Sequence, residues 1–476
     1  MAIAEYADYD GLGLAELVRR GEVTATELVD EAIARIERHD PSLNAVVHRA
    51  FESARAAASS PLADGPFRGV PFLIKDLGCP VAGMPRTSGS RFLRDERPAA
   101  DGILTQRYRA AGVVLLGKTN TPELGITGTT ESALLGPCRN PWNPDHISGG
   151  SSGGSAAATA AGIVPLAHAS DGLGSIRIPA ACCGLFGLKT TRERNPSGPR
   201  DGERAIGMSV DHVVSRTVRD SAAMLDATGY PEPASPYPAP PRERPFLEEV
   251  GAPTGRLRIA YSSETPSGRP IDAEVQSAFE DTVALLEELG HELVPQDLGI
   301  DYRAYYKAQG IIGAANAAAN LAECIERIGR EPAEDELEPL TWAGIRSGQR
   351  LSAERVMRAV RAHRVHCRQI LALFEDFDVY LTPVMGTPPP PIGHIDPVKL
   401  DPREVGKRQA RAFPFTPPFN ATGQPAMSVP LAWSASGLPL GMQFAGRYGD
   451  EATLFRLAAQ LEEARPWRNL HPPLWN

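Results

Sequence analysis

Apolar positions early in the chain recur at helical spacing. Leu28, Ala32, Ile33 and Ile36 follow the capping-box signature Thr24-Ala-Thr-Glu27, and the pattern runs on to His39-Asp40-Pro41, predicting a helix. The period then changes. Val70-Pro-Phe-Leu-Ile74 and Val113-Val-Leu-Leu116 are short apolar runs bounded by glycine, as buried strands are, and residues 99–111 between them suit a connecting helix. This strand–helix–strand rhythm predicts an α/β architecture.

Residues 149–187 are dominated by Gly, Ser and Ala. The loop Gly149-Gly-Ser-Ser-Gly-Gly-Ser155 precedes a run of small helix formers at 156–161, so this segment is expected at the centre of the fold, with Ser155 as helix N-cap. Residues 231–253 are rich in proline and charge and read as a surface connection. Helical periodicity returns at 272–288 and 353–374, residues 377–383 read as a strand, and the proline run at 387–392 reads as an extended surface segment. There is no internal repeat. The economical organisation is a single domain over 1–476, with a core motif region at 70–230 and a variable helical insertion at about 255–370.

Three features carry chemistry: Lys75-Asp76 after the first apolar run, Ser151 in the glycine loop, and Ser175 in Ser170-Asp-Gly-Leu-Gly-Ser-Ile-Arg-Ile-Pro179. Taken singly each has a plain structural reading, the lysine as a strand terminus and the loop as a connector. The loop lacks the Gly-Lys-Ser/Thr ending of a P-loop, and neither serine lies in the Gly-x-Ser-x-Gly elbow of α/β-hydrolases. The ten histidines form no HExxH-like metal motif and read as ordinary surface or core residues.

Together these features resemble the amidase signature family. The matching residues are the loop at 149–155, Asp171-Gly-Leu-Gly-Ser-Ile-Arg-Ile-Pro-Ala180, Cys183-Gly-Leu-Phe-Gly-Leu-Lys189, Lys75-Asp76, and the C-terminal stretches at 420–430 and 437–446. The resemblance spans most of the chain and fades between about 230 and 370. It implies an α/β fold with a central mixed, twisted β-sheet covered on both faces by helices, and an amide-bond hydrolase working through an acyl-enzyme. It further implies Ser175 as nucleophile, Ser151 as the proton-passing serine on a cis peptide, and Lys75 as general base. The backbone N–H groups of Gly172, Leu173, Gly174 and Ser175 match its oxyanion hole, with Ser152, Asp171 and Arg177 as supports.

A lysine can act as base only when neutral, which requires burial to lower its proton affinity, so Asp76 is expected to point away from it. Leu173 stands where the family has glycine. A leucine held at positive φ there is expected to carry strain of about 1–3 kcal/mol and to reshape the acyl pocket. His168-Ala-Ser170, with the Ala-Cys-Cys-Gly-Leu-Phe-Gly-Leu-Lys run, is similar to the branch holding the nylon-oligomer amidases, which implies uncharged, fairly apolar amides, aryl amides or amino-acid oligomers, with esters and carbamates open. Two other readings stand beside the amidase: the A subunit of a glutamine-dependent tRNA amidotransferase, and a non-catalytic relative. Cys324, Trp342 and residues near His212 could line the pocket, or pack the core.

Composition narrows the setting. The 476 residues carry 49 basic and 58 acidic side chains, a formal charge of −9, which offers no polycationic face to nucleic acid or an anionic membrane. The N-terminal decapeptide has no basic region followed by an apolar core, so a secretory leader is not expected. Six sparse cysteines read as reduced thiols in a cytoplasm, with Cys182-Cys183 as core packing. The expected partner is a small-molecule amide, with no metal, no cofactor, no nucleic acid and no membrane, and a homodimer is left open.

Overall fold

The computed structural model describes residues 5–199, 202–233 and 235–475. The first four residues of the N-terminal reading lie outside these. Thirteen strands are described: β1 (Val46–Arg49), β2 (Pro71–Lys75), β3 (Val114–Thr119), β4 (Glu131–Ser132), β5 (Gly136–Pro137), β6 (Leu166–Asp171), β7 (Phe186–Lys189), β8 (Val210–Ser215), β9 (Arg258–Tyr261), β10 (Glu292–Pro295), β11 (Val379–Pro383), β12 (Ala426–Trp433) and β13 (Pro439–Gly446). Eleven of them form one sheet in the order β1-β3-β2-β6-β8-β7-β12-β13-β11-β9-β10, and β4 pairs with β5 separately. The sheet is mixed: β3, β2 and β6 run parallel, the central strands alternate, and β11, β9 and β10 are parallel again.

Successive side chains of a strand point to opposite faces, and β8 shows what each face meets. Val213 joins the core built with helices Gly11–Arg19 and Ala25–Leu43, whereas Val214 joins the one built with Gly153–Ala160 and Arg177–Cys183. Helices therefore cover both faces. This is the α/β sandwich that the motifs imply.

The capping box at Thr24 forms, with the Glu27 backbone N–H donating to Thr24 Oγ1 and Thr24 N–H donating to the Glu27 carboxylate; the helix runs past Pro41 to Leu43. Pro41 lacks the N–H that would reach back to the Glu37 carbonyl, so it removes one bond of the final turn, and the helix ends two residues later. The segment 255–370 adds more than helices: β9 and β10 extend the sheet edge, joined by the helix Ala273–Glu288, before the long helices Tyr302–Ile328 and Ala353–Leu373. The proline run is less exposed than its composition suggests. Pro389 and Pro390 are buried, and Pro390 O accepts from Ile147 N–H. Cys182 and Cys183 are buried in the core, Cys182 Sγ lying 3.4 Å from Met385 Sδ. No helix among the described residues is long and apolar enough to cross a membrane.

Candidate active site

Because β2 and β6 are parallel neighbours, their C-terminal residues, Lys75 and Asp171, reach the same edge of the sheet. Ligand sites gather at such strand ends in α/β sheets. The glycine-serine loop enters here: Ser152 immediately precedes the helix Gly153–Ala160, and the Gly150–Ser151 peptide is cis. Threonines hold this loop, with Thr121 Oγ1 donating to Ser151 O (2.9 Å) and Thr130 Oγ1 to Gly149 O (2.9 Å). A Cβ at Gly149 would lie 2.7 Å from Pro179 Cα, so the loop packs directly on the helix that follows Ser175.

Lys75 is fully buried. Its Nζ lies 2.7 Å from Ser151 Oγ, 2.9 Å from Ser152 Oγ and 3.0 Å from Ser170 Oγ. A charged ammonium donates to all three hydroxyls. A neutral amine keeps two N–H groups and one lone pair, so one hydroxyl must turn and donate to it. Ser152 is committed elsewhere, since its Oγ donates to Ser170 O at 3.2 Å. Ser151 is the nearest of the three.

Burial lowers the Lys75 pKa from its ordinary value to about 7; the carboxylates of Asp211 and Asp171 pull it up, and Arg204 pushes it down. Asp76 does not contribute to this pull. Its carboxylate accepts from Thr87 N–H (3.0 Å) and the Thr87 hydroxyl, and faces His48 (3.5 Å). This is the orientation that base chemistry requires.

Asp171 organises the turn that carries Ser175. Its Oδ1 accepts from Gly174 N–H (2.6 Å), Arg177 Nη2 (3.0 Å) and Asn420 Nδ2 (2.8 Å). Its Oδ2 accepts from Ile176 N–H (3.2 Å), Arg177 N–H (3.4 Å) and Arg177 Nε (2.9 Å). The Arg177 guanidinium and these donors hold the carboxyl well below the usual carboxylate range, against the burial that would raise it. Ser175 itself is half-buried, and the structure records no hydrogen bond between its hydroxyl and that of Ser151.

Three expectations need correction. Leu173 is not among the residues with positive φ; the left-handed backbone falls one residue later, at Gly174 (φ 130°), where glycine adopts it at low cost. Leu173 therefore carries no such strain, and its side chain stands 43% exposed beside the turn. Gly174 N–H points at Asp171, which removes it from the oxyanion donors and leaves Gly172, Leu173 and Ser175 as candidates. Ser155 is not an N-cap: it lies inside the helix, where its hydroxyl meets Thr119 Oγ1 (2.7 Å) and donates to His168 O (2.7 Å).

Two partners of Lys75 were not foreseen from the sequence. Ser170 and His168 both touch Lys75, the latter by accepting its backbone N–H at Nδ1 (3.2 Å). His168 is thus no ordinary core histidine. Near the remaining pocket candidates, His212 is fully buried on β8 with its Nε2 2.9 Å from Ser221 Oγ, while Cys324 and Trp342 pack in the cluster that holds Leu124 and Phe92.

The family model described as Amidase matches residues 27–455. The 6-aminohexanoate-cyclic-dimer hydrolase of Paenarthrobacter ureafaciens is 38% identical, over 98% of this chain and 97% of that protein. A solved structure of 6-aminohexanoate cyclic dimer hydrolase complexed with substrate superposes with a TM-score of 0.93 at 37% identity, covering 99% of this chain and 100% of that one. A bacterial aryl acylamidase of the amidase signature enzymes follows at TM-score 0.88 and 28% identity, covering 97% of both chains. The chain belongs to the amidase signature family. It is a hydrolase of non-peptide C–N amide bonds.

Proposed function

We propose that the chain, acting as one amidase domain, hydrolyses small uncharged amides through an acyl-enzyme on Ser175, with Ser151 and Lys75 moving the proton. The observation that carries this reading is the Lys75 amine, fully buried with its pKa near 7 and ringed by three seryl oxygens. Ser175 Oγ attacks the amide carbonyl as its proton passes to Ser151 Oγ, whose own proton passes to Lys75 Nζ. The N–H groups of Gly172, Leu173 and Ser175 receive the oxyanion; each such donor contributes about 3–4 kcal/mol to the transition state. The proton then returns through Ser151 to the leaving nitrogen, the amine departs, and water repeats the sequence on the ester.

Similarity to a cyclic-dimer hydrolase of 6-aminohexanoate and to an aryl acylamidase supports amino-acid oligomers and aryl amides as substrates. The exposed Leu173 beside the turn favours an apolar acyl group. Six unpaired cysteines, five of them buried, suit a reducing cytoplasm. The amidotransferase reading is not favoured, since the relatives above are hydrolases or acylamidases over nearly their whole length. Turnover of a panel of aryl amides, linear and cyclic 6-aminohexanoate oligomers, esters and carbamates tests the proposal. Ser175→Ala should abolish hydrolysis, and Lys75→Ala and Ser151→Ala should each cost about 10³-fold or more. Near-normal turnover by Ser175→Ala overturns the assignment.

A further inference from the structure

Lys75 is supported from behind by groups that the reaction itself does not use. Backbone N–H groups along β2 alternate between its two neighbours, and Asp76 N–H goes to Thr119 O on β3, so Lys75 N–H faces β6. There the parallel ladder has already lapsed: its only paired residues are Leu73 and Ala167. The His168 imidazole fills the gap and accepts Lys75 N–H at Nδ1. An accepting Nδ1 places the ring proton on Nε2, which lies 3.3 Å from Asp211 Oδ1 on β8. Asp211 Oδ2 in turn pairs with the Arg204 guanidinium. The turn after Lys75 packs on this pair, for a Cβ at Gly78 (φ 68°) would lie 3.0 Å from Arg204 Nη1.

We propose that His168, Asp211 and Arg204 form a positioning relay behind Lys75, in which the imidazole fixes the lysine backbone and the balance of Asp211 against Arg204 sets the pH at which the amine becomes available. None of the three touches substrate; each acts through Lys75. The other charges around the lysine are accounted for separately. Asp171, paired with Arg177, also draws a proton to Lys75 but less than Asp211 does, Asp76 is turned to Thr87 and His48, and the buried Lys118 on β3 donates to Cys79 O. Asp211 is the foremost carboxylate drawing a proton to Lys75, and Arg204 is the cation that opposes it. Nδ1 accepts Lys75 N–H and burial shifts the imidazole toward its neutral form, so the relay transmits position and field.

The inference rests on Lys75 being the base, and the test separates the two claims. The pH profile of kcat/KM is measured for the wild type, Asp211→Asn, Arg204→Gln, His168→Leu and His168→Asn. Asp211→Asn should move the acid limb down by about one pH unit and Arg204→Gln should move it up by a similar amount. A merely structural loss lowers the plateau without moving the limb. His168→Leu should lower kcat by about tenfold or more with KM within about twofold, and His168→Asn, which keeps an acceptor near the Nδ1 position, should recover most of it. Limbs that stay put, or move the same way in Asp211→Asn and Arg204→Gln, overturn the relay while leaving Lys75 in place. A wild-type profile without an acid limb overturns the base assignment itself.

Discussion

Asp171→Asn is the sharpest perturbation of the turn that carries Ser175. Each carboxylate oxygen of Asp171 receives three donors: Gly174 N–H, Arg177 Nη2 and Asn420 Nδ2 on one side, Ile176 N–H, Arg177 N–H and Nε on the other. An asparagine amide cannot serve both sets, because either orientation turns an NH2 group toward three donors. The substitution also strips a fully buried guanidinium of its counter-charge. Removing one partner of a buried pair costs about 3–5 kcal/mol. At roughly 2.1 cal/mol/K per residue, a chain of 476 residues has an unfolding entropy of about 1 kcal/mol/K, so Tm should fall by about 3–5 °C. Activity should fall further than stability, since Gly174 N–H loses its anchor and the neighbouring oxyanion donors lose alignment, at a cost of about 10²-fold or more in kcat. Calorimetry and steady-state amide hydrolysis read the two effects. A D171N enzyme that melts within about 1 °C of wild type and turns over within about twofold would refute the brace.

The remaining predictions concern the base and the acyl side. With the Lys75 pKa near 7, kcat/KM should fall about tenfold per unit as pH drops below 7 and level off above 8. The sign follows from the amine: its free-base fraction, the active form, is lost as pH falls through the folded pKa. Asp171, held well below the usual carboxylate range, stays ionised across this window and contributes no second limb. A profile flat from pH 6 to 8 under chemistry-limited conditions would contradict this. Leu173→Gly should change the ratio of kcat/KM between bulky and small acyl groups by about tenfold while Tm stays put, because the side chain is exposed and its backbone needs no glycine. An unchanged ratio removes Leu173 from acyl selection.

Much of this site was legible in the sequence, and the gaps have physical reasons. Strands β2 and β3 stood out because both are buried on two faces and read as unbroken apolar runs, and the alanine run predicted the helix Gly153–Ala160. The motif resemblance placed Lys75 and Ser151, which the fold brings within 2.7 Å. His168 and Asp211 were invisible because their meeting depends on the antiparallel register of β6 with β8, a contact between positions 43 residues apart. The available signal was polar residues set among apolar ones in two buried strands, His168 in Leu166-Ala-His-Ala and Asp211 and His212 in Val210-Asp-His-Val-Val. The Leu173 expectation failed by one residue. A glycine-to-leucine departure says nothing about which peptide of the turn takes the left-handed conformation, and here it is Gly174. Ser155 was read as a cap from its place before the alanines, but the helix begins two residues earlier and draws the hydroxyl inward to His168 O.

Ser175 is proposed to carry the acyl group while Lys75, through Ser151, takes up the proton. The most direct measurement is active-site labelling with a fluorophosphonate at pH 6 and pH 8, followed by intact-mass analysis and peptide mapping. One adduct per chain, on the peptide bearing Ser175, formed faster at pH 8 and absent from Ser175→Ala, is the predicted result. An adduct on Ser151 or Ser152 in the wild-type enzyme, or labelling that persists in Ser175→Ala at an unchanged rate, would contradict it.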